Sequence, residues 1–206
     1  MDTWSMTASE REGVANALGT LGPDAFDQPS LCEGWTVRDV LAHMTGTAML
    51  TPPAFFAKLA GSGFNFDKMV AKGVKSLEAA SSDDQLIAFW RSRVKTRNGP
   101  PGPAAAMLGE VVIHGEDIFR ALGSYREHPA DHLVAVANFY KGSNLMVGAK
   151  RRISGLTLRA TDVDWQNGSG PEVSGPLVAL ILAMTGRKAV LDDLSGEGLE
   201  TLRSRS

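Results

Sequence analysis

The chain has 206 residues, enough to bury a sizeable core as one domain or as one domain with a small annex. Its net charge of −2 gives no basic footprint for nucleic acid, and no apolar run approaches the roughly 20 residues that cross a bilayer. The N-terminus lacks a basic region followed by an apolar core, and a single cysteine, Cys32, excludes an internal disulfide framework. These features predict a cytoplasmic protein without membrane or nucleic-acid partners.

Helical patterns dominate the first three quarters of the chain. Residues 7–10 have the pattern of a capping box that opens a helix ending near Leu21. Residues 36–39 form a second capping box, and the helix that follows ends before Pro52 and Pro53. Further helices are predicted at residues 55–59, 66–77, 83–94 (capped by residues 81–84), 103–123 and from 129 as far as Ala149.

The predicted central helix contains the sequence GEVVIHGEDIFRALG at residues 109–123. At about 100° per residue, Glu110 and His114 are roughly 40° apart, and Asp117 lies on the same edge of an apolar helix. Charge at such a border is costly unless it is paired or bound to a metal, and a carboxylate and an imidazole four residues apart can meet one cation. Taken alone, this pair is more often a surface pair or a core histidine with an ordinary hydrogen bond.

His43 strengthens the metal interpretation. It lies in the second predicted helix, near the edge of the apolar stripe that faces the core. In a helical bundle such faces meet, and metal sites are built there from side chains on facing helices. His43, Glu110 and His114 would supply two nitrogens and one oxygen and leave one open position on a tetrahedral zinc ion, which is the catalytic pattern. The same ligand types also suit nickel or manganese.

The pattern changes after Lys150. Residues 156–161 alternate like a half-buried strand, which residues 163–165 would extend, and Asn167 and Gly168 form a hairpin turn signal. A short return strand at residues 172–173, an apolar helix at 175–185 and a last helix at 194–202 are expected. We therefore predict two parts: a helical bundle with the metal site at residues 1–150, and a small α/β segment at 151–206 packed on it.

Two segments together resemble a known family. LCEGWTVRDVLAH (residues 31–43) and GEVVIHGEDIFRALG resemble the paired signatures of mycothiol-dependent maleylpyruvate isomerase-like proteins, in the DinB/YfiT-like superfamily of metal-binding four-helix bundles. The tail at residues 156–187 resembles the small α/β C-terminal part of actinobacterial members. The resemblance implies a mainly α fold, a DinB-like up-down four-helix bundle with a small C-terminal α/β segment.

The resemblance also implies a site. His43, Glu110 and His114 would bind a divalent metal, commonly zinc, and the open position would take a low-molecular-weight thiol. Asp117 and Arg187 match residues that contribute to activity in the isomerase. The structural alternative for Asp117 is a helix-to-helix hydrogen bond, and for Arg187 it is a cation favoured at a helix C-terminus. Residue Cys32 is expected to pack as a small apolar residue without an activated thiolate.

The implied reaction is thiolate chemistry. A free thiol has a pKa near 8.5, and a coordinating zinc ion deprotonates it. The thiolate can add to an activated double bond, permit rotation and leave, which is cis–trans isomerisation, or displace a leaving group, which is S-transfer. We expect a cytoplasmic enzyme that takes mycothiol and a small electrophile, with S-transfer favoured because the isomerase is one specialised member of a broad group. The alternative is a non-catalytic metal- or ligand-binding stress-response bundle, and both a monomer and a homodimer are compatible with the sequence.

Overall fold

The computed structural model describes residues 1–144 and 147–205. The chain forms two compact units, Met1–Arg126 and Glu127–Ser206. This division falls earlier than the boundary near residue 151 that the sequence indicates. The two predicted parts, residues 1–150 and 151–206, and the packing of the tail on the bundle stay predictions.

The first unit is built around four helices: α1 (Thr3–Leu18), α2 (Val37–Met49), α5 (Asp83–Arg93) and α6 (Ala104–Phe119). Each of α1 and α2 packs against both α5 and α6, which closes a four-helix arrangement around one core. Two further helices, α3 (Pro52–Ala60) and α4 (Phe66–Ala80), follow α2, and α4 packs on α2. The predicted four-helix bundle, with the His43 and Glu110 segments adjacent, is confirmed.

The core of the bundle is made by the apolar stripes of these helices. Fully buried members come from all four, and include Val14, Leu18, Leu41, Met44, Trp90, Val111 and Ile118. Burying each such side chain contributes about 1.5–3 kcal/mol to folding. Because the stripes of α2 and α6 face this core, the residues at the edges of those stripes come together beside it.

Two of the predicted helix starts are confirmed by their capping contacts. Thr36 N donates to Asp39 Oδ2 at 2.8 Å and Asp39 N donates to Thr36 Oγ1 at 3.1 Å, a complete capping box that fixes where α2 begins. Ser82 and Gln85 make the same exchange at the start of α5. The central helix begins directly after Pro103, as predicted.

The predicted capping box at residues 7–10 is wrong. Helix α1 begins at Thr3, and Asp2 is its N-cap, because the Asp2 carboxylate accepts from Trp4 N at 3.0 Å and from Ser5 N at 3.2 Å. Thr7 lies inside the helix, where its hydroxyl donates to the Thr3 carbonyl at 2.8 Å. A threonine with a glutamate three positions later also occurs inside helices, so the earlier aspartate decided the start.

The second unit combines short helices with a small sheet. Its elements are α7 (Ala130–Tyr140), α8 (Ala149–Arg152), β1 (Thr157–Ala160), β2 (Gln166–Gly168), β3 (Glu172–Gly175), α9 (Leu177–Met184), a 3-10 helix (Lys188–Asp193) and α10 (Leu199–Arg203). The strand order is β2-β1-β3, with β2 antiparallel and β3 parallel to β1. The first predicted strand, the return strand and the apolar helix are confirmed. Helix α7 ends at Tyr140, and the predicted extension to Ala149 crosses residues 145–146, which lie outside the described residues.

The predicted hairpin turn at Asn167 and Gly168 is wrong. Both residues lie in β2, where Asn167 pairs with Leu158, and residues 161–165 make the turn instead of extending β1. Gly168 has a φ of +88°, and a Cβ there would collide with the Leu156 carbonyl oxygen. This glycine therefore permits a close approach of two backbones rather than a two-residue turn. Within the described residues, no helix has the length and apolar character needed to cross a membrane.

Candidate metal centre

Helices α2 and α6 bring three potential metal ligands together. His43 Nε2 lies 3.0 Å from Glu110 Oε1, and His114 Nε2 lies 3.7 Å from Glu110 Oε2. One ligand atom from each residue lies within 4.8 Å of the others, and the two imidazole ring centres are 4.9 Å apart. Ligands each about 2 Å from one zinc ion are at most about 4 Å apart, so both glutamate distances fit a shared ion.

The Glu110 carboxylate fits a cation on chemical grounds as well. Its Oε1 atom is buried and has no hydrogen-bond partner of acceptable geometry among the described residues, although His43 Nε2 approaches at ion-pair distance. Burial raises the pKa of Glu110, but the charges of His43 and His114 and polar contacts with His43 and Thr47 outweigh it and lower the pKa to about 2. The carboxylate is therefore ionised at neutral pH, as a metal ligand must be.

The ring of His43 is held by an aromatic neighbour. Trp35, just before α2, meets the His43 imidazole edge-on with ring centres 5.2 Å apart. The sequence indicates that Trp35 packs the start of the helix, and the structure adds this contact with a candidate ligand. The contact restricts the orientation of the imidazole.

Asp117 contacts the opposite nitrogen of His114. It is fully buried, and its Oδ2 lies 2.9 Å from His114 Nδ1, while its backbone carbonyl accepts from Leu31 N at 3.0 Å. When Nδ1 carries the proton it donates to Asp117, and Nε2 is left as the unprotonated atom facing Glu110. A carboxylate in this position orients a histidine ligand and raises its basicity.

Cys32 is the functional neighbour that sequence reasoning missed. Cys32 packs against the hydrophobic core, as predicted, but its thiol also donates to Asp117 Oδ2 at 3.0 Å and lies 3.7 Å from His114 Nδ1. Cys32, His114 and Asp117 also form a group that could hold a cation. Cys32 Sγ, His114 Nδ1 and Asp117 Oδ2 already contact one another at hydrogen-bond distance. Glu110 Oε1, in contrast, has no hydrogen-bond partner of acceptable geometry among the described residues. We therefore assign the candidate ion to the group of His43, Glu110 and His114.

Arg187 belongs to the second compact unit, whereas the other predicted site residues belong to the first. It follows α9, is half-buried, and its Nη1 donates to the Thr185 carbonyl at 3.1 Å. This contact at the end of a helix is the arrangement expected for a C-terminal cation. Its contribution to catalysis stays a prediction.

A cavity of about 320 Å³ lies beside His43. Its walls come mainly from α2, α3 and α4, all within the first unit. Thr47, one turn after His43 on α2, is also part of the wall. The candidate metal centre thus has space for a small molecule on its α2 side.

The family model for the mycothiol maleylpyruvate isomerase N-terminal domain matches residues 7–119, more than half of the chain. The chain belongs to this family. The matched region contains the candidate ligands on α2 and α6, and the family resemblance seen in the two sequence signatures is confirmed. No curated protein sequence matches the chain significantly.

Two solved structures are similar to the chain over most of its length. One is a crystal structure of the mycothiol-dependent maleylpyruvate isomerase, with 18% identity, a TM-score of 0.63 and coverage of 95% of this chain and 91% of that chain. The other is a histidine-to-alanine mutant of that isomerase, with 17% identity, a TM-score of 0.62 and the same coverage. At this identity the similarity establishes the fold, and the predicted mainly α, DinB-like class is confirmed.

Proposed function

We propose that the protein is a divalent-metal-dependent enzyme that uses a low-molecular-weight thiol, mycothiol, to transfer sulfur to a small electrophile or to isomerise it. The observation that carries this proposal is the convergence of His43, Glu110 and His114 beside a cavity, in a chain of the mycothiol maleylpyruvate isomerase family. Two nitrogens and one oxygen leave one position open on a tetrahedral ion, and zinc is the metal we favour.

Each residue of the site has a separate task in this proposal. His43, Glu110 and His114 hold the cation, and a zinc ion bound there would lower the pKa of a coordinated thiol so that it reacts as a thiolate at neutral pH. Asp117 accepts the Nδ1 proton of His114 and keeps Nε2 available as a ligand. Arg187 would bind a carboxylate or carbonyl oxygen at the reacting end of the electrophile.

Both reactions start from the same attack by sulfur on carbon. In isomerisation the sulfur bonds to one carbon of an activated cis double bond, the electron pair moves toward the activating carbonyl, and the sulfur leaves after rotation. In S-transfer the carbon–sulfur bond forms as the leaving group departs with its electron pair, and the thiol proton passes to solvent. The family resemblance favours S-transfer as the broader activity, in a protein that works in the cytoplasm as a monomer or homodimer.

The proposal is tested by metal content and turnover measured on the same samples. Purified protein should carry about one divalent ion per chain and consume electrophiles only with mycothiol and metal present. His114→Ala should lose both properties, whereas His128→Ala, outside the ligand group, should keep them. Full metal occupancy in His114→Ala would remove the site. Metal binding without thiol-dependent turnover, against maleylpyruvate and a panel of electrophiles, would favour the non-catalytic binding protein.

A further inference from the structure

The cavity beside His43 has an apolar interior. Its buried wall residues are Ala42, Leu50, Met69 and Val74, from α2, the segment after it and α4. Helix α3 forms another wall and buries none of its side chains, although it is mostly apolar. Helix α3 therefore leaves apolar surface exposed beside an apolar cavity, and an apolar ligand bound there would cover that surface.

Charged and polar groups lie at the outer edge of this cavity. Lys58 on α3 and Ser76 on α4 are both exposed wall residues, and Lys58 is the cationic side chain among the described wall residues. Thr47 and His43 are half-buried wall residues that interact with Glu110. The cavity wall thus combines a candidate metal ligand, one cationic side chain and mainly apolar residues.

We propose that this cavity binds the apolar body of the electrophile, with the reactive carbon toward His43 and an anionic group at the far end contacting Lys58. The proposal rests on the proposed function, because it names the substrate class of the same site. Mycothiol itself, a thiol carried on sugar-like groups, would leave many hydroxyl groups without partners in this apolar space. A compact substrate with two carboxylates would likewise bury charge against apolar walls.

The binding test uses zinc-loaded full-length protein and straight-chain carboxylates from propanoate to octanoate, measured by calorimetry. Each methylene that enters the cavity should tighten binding by about fourfold, until the cavity is filled. The matched neutral alcohols should bind more weakly, by about two- to fivefold, because they lack the charge that meets Lys58. Lys58→Met should abolish this preference for the acid, and Lys75→Met, on α4 outside the cavity wall, should keep it.

A second pair of variants fills the cavity. Gly73 lies on its wall in α4, and a Cβ there would meet no atom within 4 Å. Gly73→Leu should therefore fold normally, keep binding of the shortest acids and lose the gain from longer chains. Gly73→Ala should give an intermediate result. Three results would each overturn the proposal. The first is equal affinity for all chain lengths, and the second is an unchanged chain-length profile in Gly73→Leu. The third is a preference for the acid that survives Lys58→Met because the metal binds the carboxylate.

Kinetics with mycothiol separates this proposal from the proposed function. The substrates are terminally brominated carboxylic acids of the same chain lengths, in which the sulfur–carbon bond forms as bromide leaves with its electron pair. Agreement between kcat/KM and the chain-length profile of binding supports both proposals. Chain-length-dependent binding without turnover would refute the thiol enzyme and leave the apolar-ligand site standing. Turnover without chain-length dependence would refute the substrate class alone.

Discussion

The contact between Asp117 and His114 gives the most direct test of the candidate centre. In Asp117→Asn the side chain keeps its size but loses its charge, so it can still accept a hydrogen bond from His114 Nδ1 through a neutral oxygen. We expect the fold to persist, because the substitution leaves in place the Asp117 backbone carbonyl that accepts from Leu31 N, and the asparagine oxygen can still accept from the Cys32 thiol.

The expected magnitude follows from the hydrogen bond between His114 Nδ1 and Asp117 Oδ2. This atom lies 2.9 Å from His114 Nδ1 and accepts from Cys32 Sγ at 3.0 Å, in a fully buried position. A hydrogen bond to a charged group contributes about 1.5–3 kcal/mol and a neutral one about 0.5–1.5 kcal/mol. The difference of about 1–1.5 kcal/mol corresponds to roughly 5- to 13-fold in zinc affinity, at the lower end of the range for groups that orient metal ligands.

The assay is zinc competition against a chromophoric chelator, with melting temperature and mycothiol-dependent turnover on the same samples. Glu116→Gln is the matched control, because Glu116 is a buried carboxylate on the same helix that pairs with Arg120 at 2.5 Å. The control should lower the melting temperature and leave zinc affinity unchanged. An Asp117→Asn protein with parental zinc affinity and turnover but a lower melting temperature would show that Asp117 only ties helices together.

Two further predictions concern neighbours of this contact. Gly115→Ala should lower the free energy of unfolding by about 1–2 kcal/mol, measured by urea titration. The reason is that the added Cβ would lie 2.8 Å from Arg126 Nη1 and 3.2 Å from Val14 Cγ2. A variant more stable than the parent, as expected for an ordinary helical glycine, would contradict this close packing. Cys32→Ala should weaken zinc binding by about two- to fivefold in the competition assay, because it removes a hydrogen-bond donor to Asp117. Cys32→Ser should restore zinc binding, since a hydroxyl also donates. Equal zinc affinities in the Ala and Ser variants would refute this role of the Cys32 thiol.

The convergence of His43, Glu110 and His114 was predictable because it depends on short-range rules. The 3.6-residue period places Glu110 and His114 on one side of α6, and the capping box at Thr36 fixes the start of α2 and so the direction of His43. Once both stripes face one core, the three side chains meet. Nothing beyond helix geometry and amphipathic packing was needed to bring them together.

The role of Cys32 was not predictable from such rules. It reaches Asp117 because two backbone hydrogen bonds hold the loop before α2. Leu31 N donates to the Asp117 carbonyl, and Ser30 N donates to the Trp35 carbonyl. These contacts depend on the tertiary position of α6, which no local pattern encodes. A polar neighbour 85 positions away in the sequence leaves no periodic signal around the cysteine.

The error at Gly168 has a related cause. The asparagine–glycine pair has two physical explanations, a two-residue turn and a close approach of neighbouring backbones. The sequence around it supports either, and only the pairing of Asn167 with Leu158 decides between them. The parallel pairing of β3 with β1 is decided in the same way, by partners distant in the sequence.

Arg187 poses a choice between catalysis and helix capping that one set of variants resolves. Its contact with the Thr185 carbonyl suits a cap, but the guanidinium of Arg152 is near enough to interact with it electrostatically. Burial lowers the pKa of Arg152, and the charge of Arg187 lowers it further. Two neighbouring cations repel each other unless an anion or carbonyl groups balance them, and Arg152 donates to the carbonyls of Val147 and Met184, which supply part of that balance.

If Arg187 binds an oxygen of the electrophile, Arg187→Met should lower kcat/KM by about 10- to 100-fold, the value of a charge-assisted hydrogen bond, with zinc affinity unchanged. Arg187→Lys should recover only part of this loss, because a lysine ammonium keeps the charge but not the paired donors of a guanidinium. If Arg187 only caps α9, both variants should change the melting temperature and leave kcat/KM intact. An Arg187→Met protein with parental kcat/KM would therefore remove this residue from the proposed catalytic site, while the proposal of a metal centre on α2 and α6 would be unaffected.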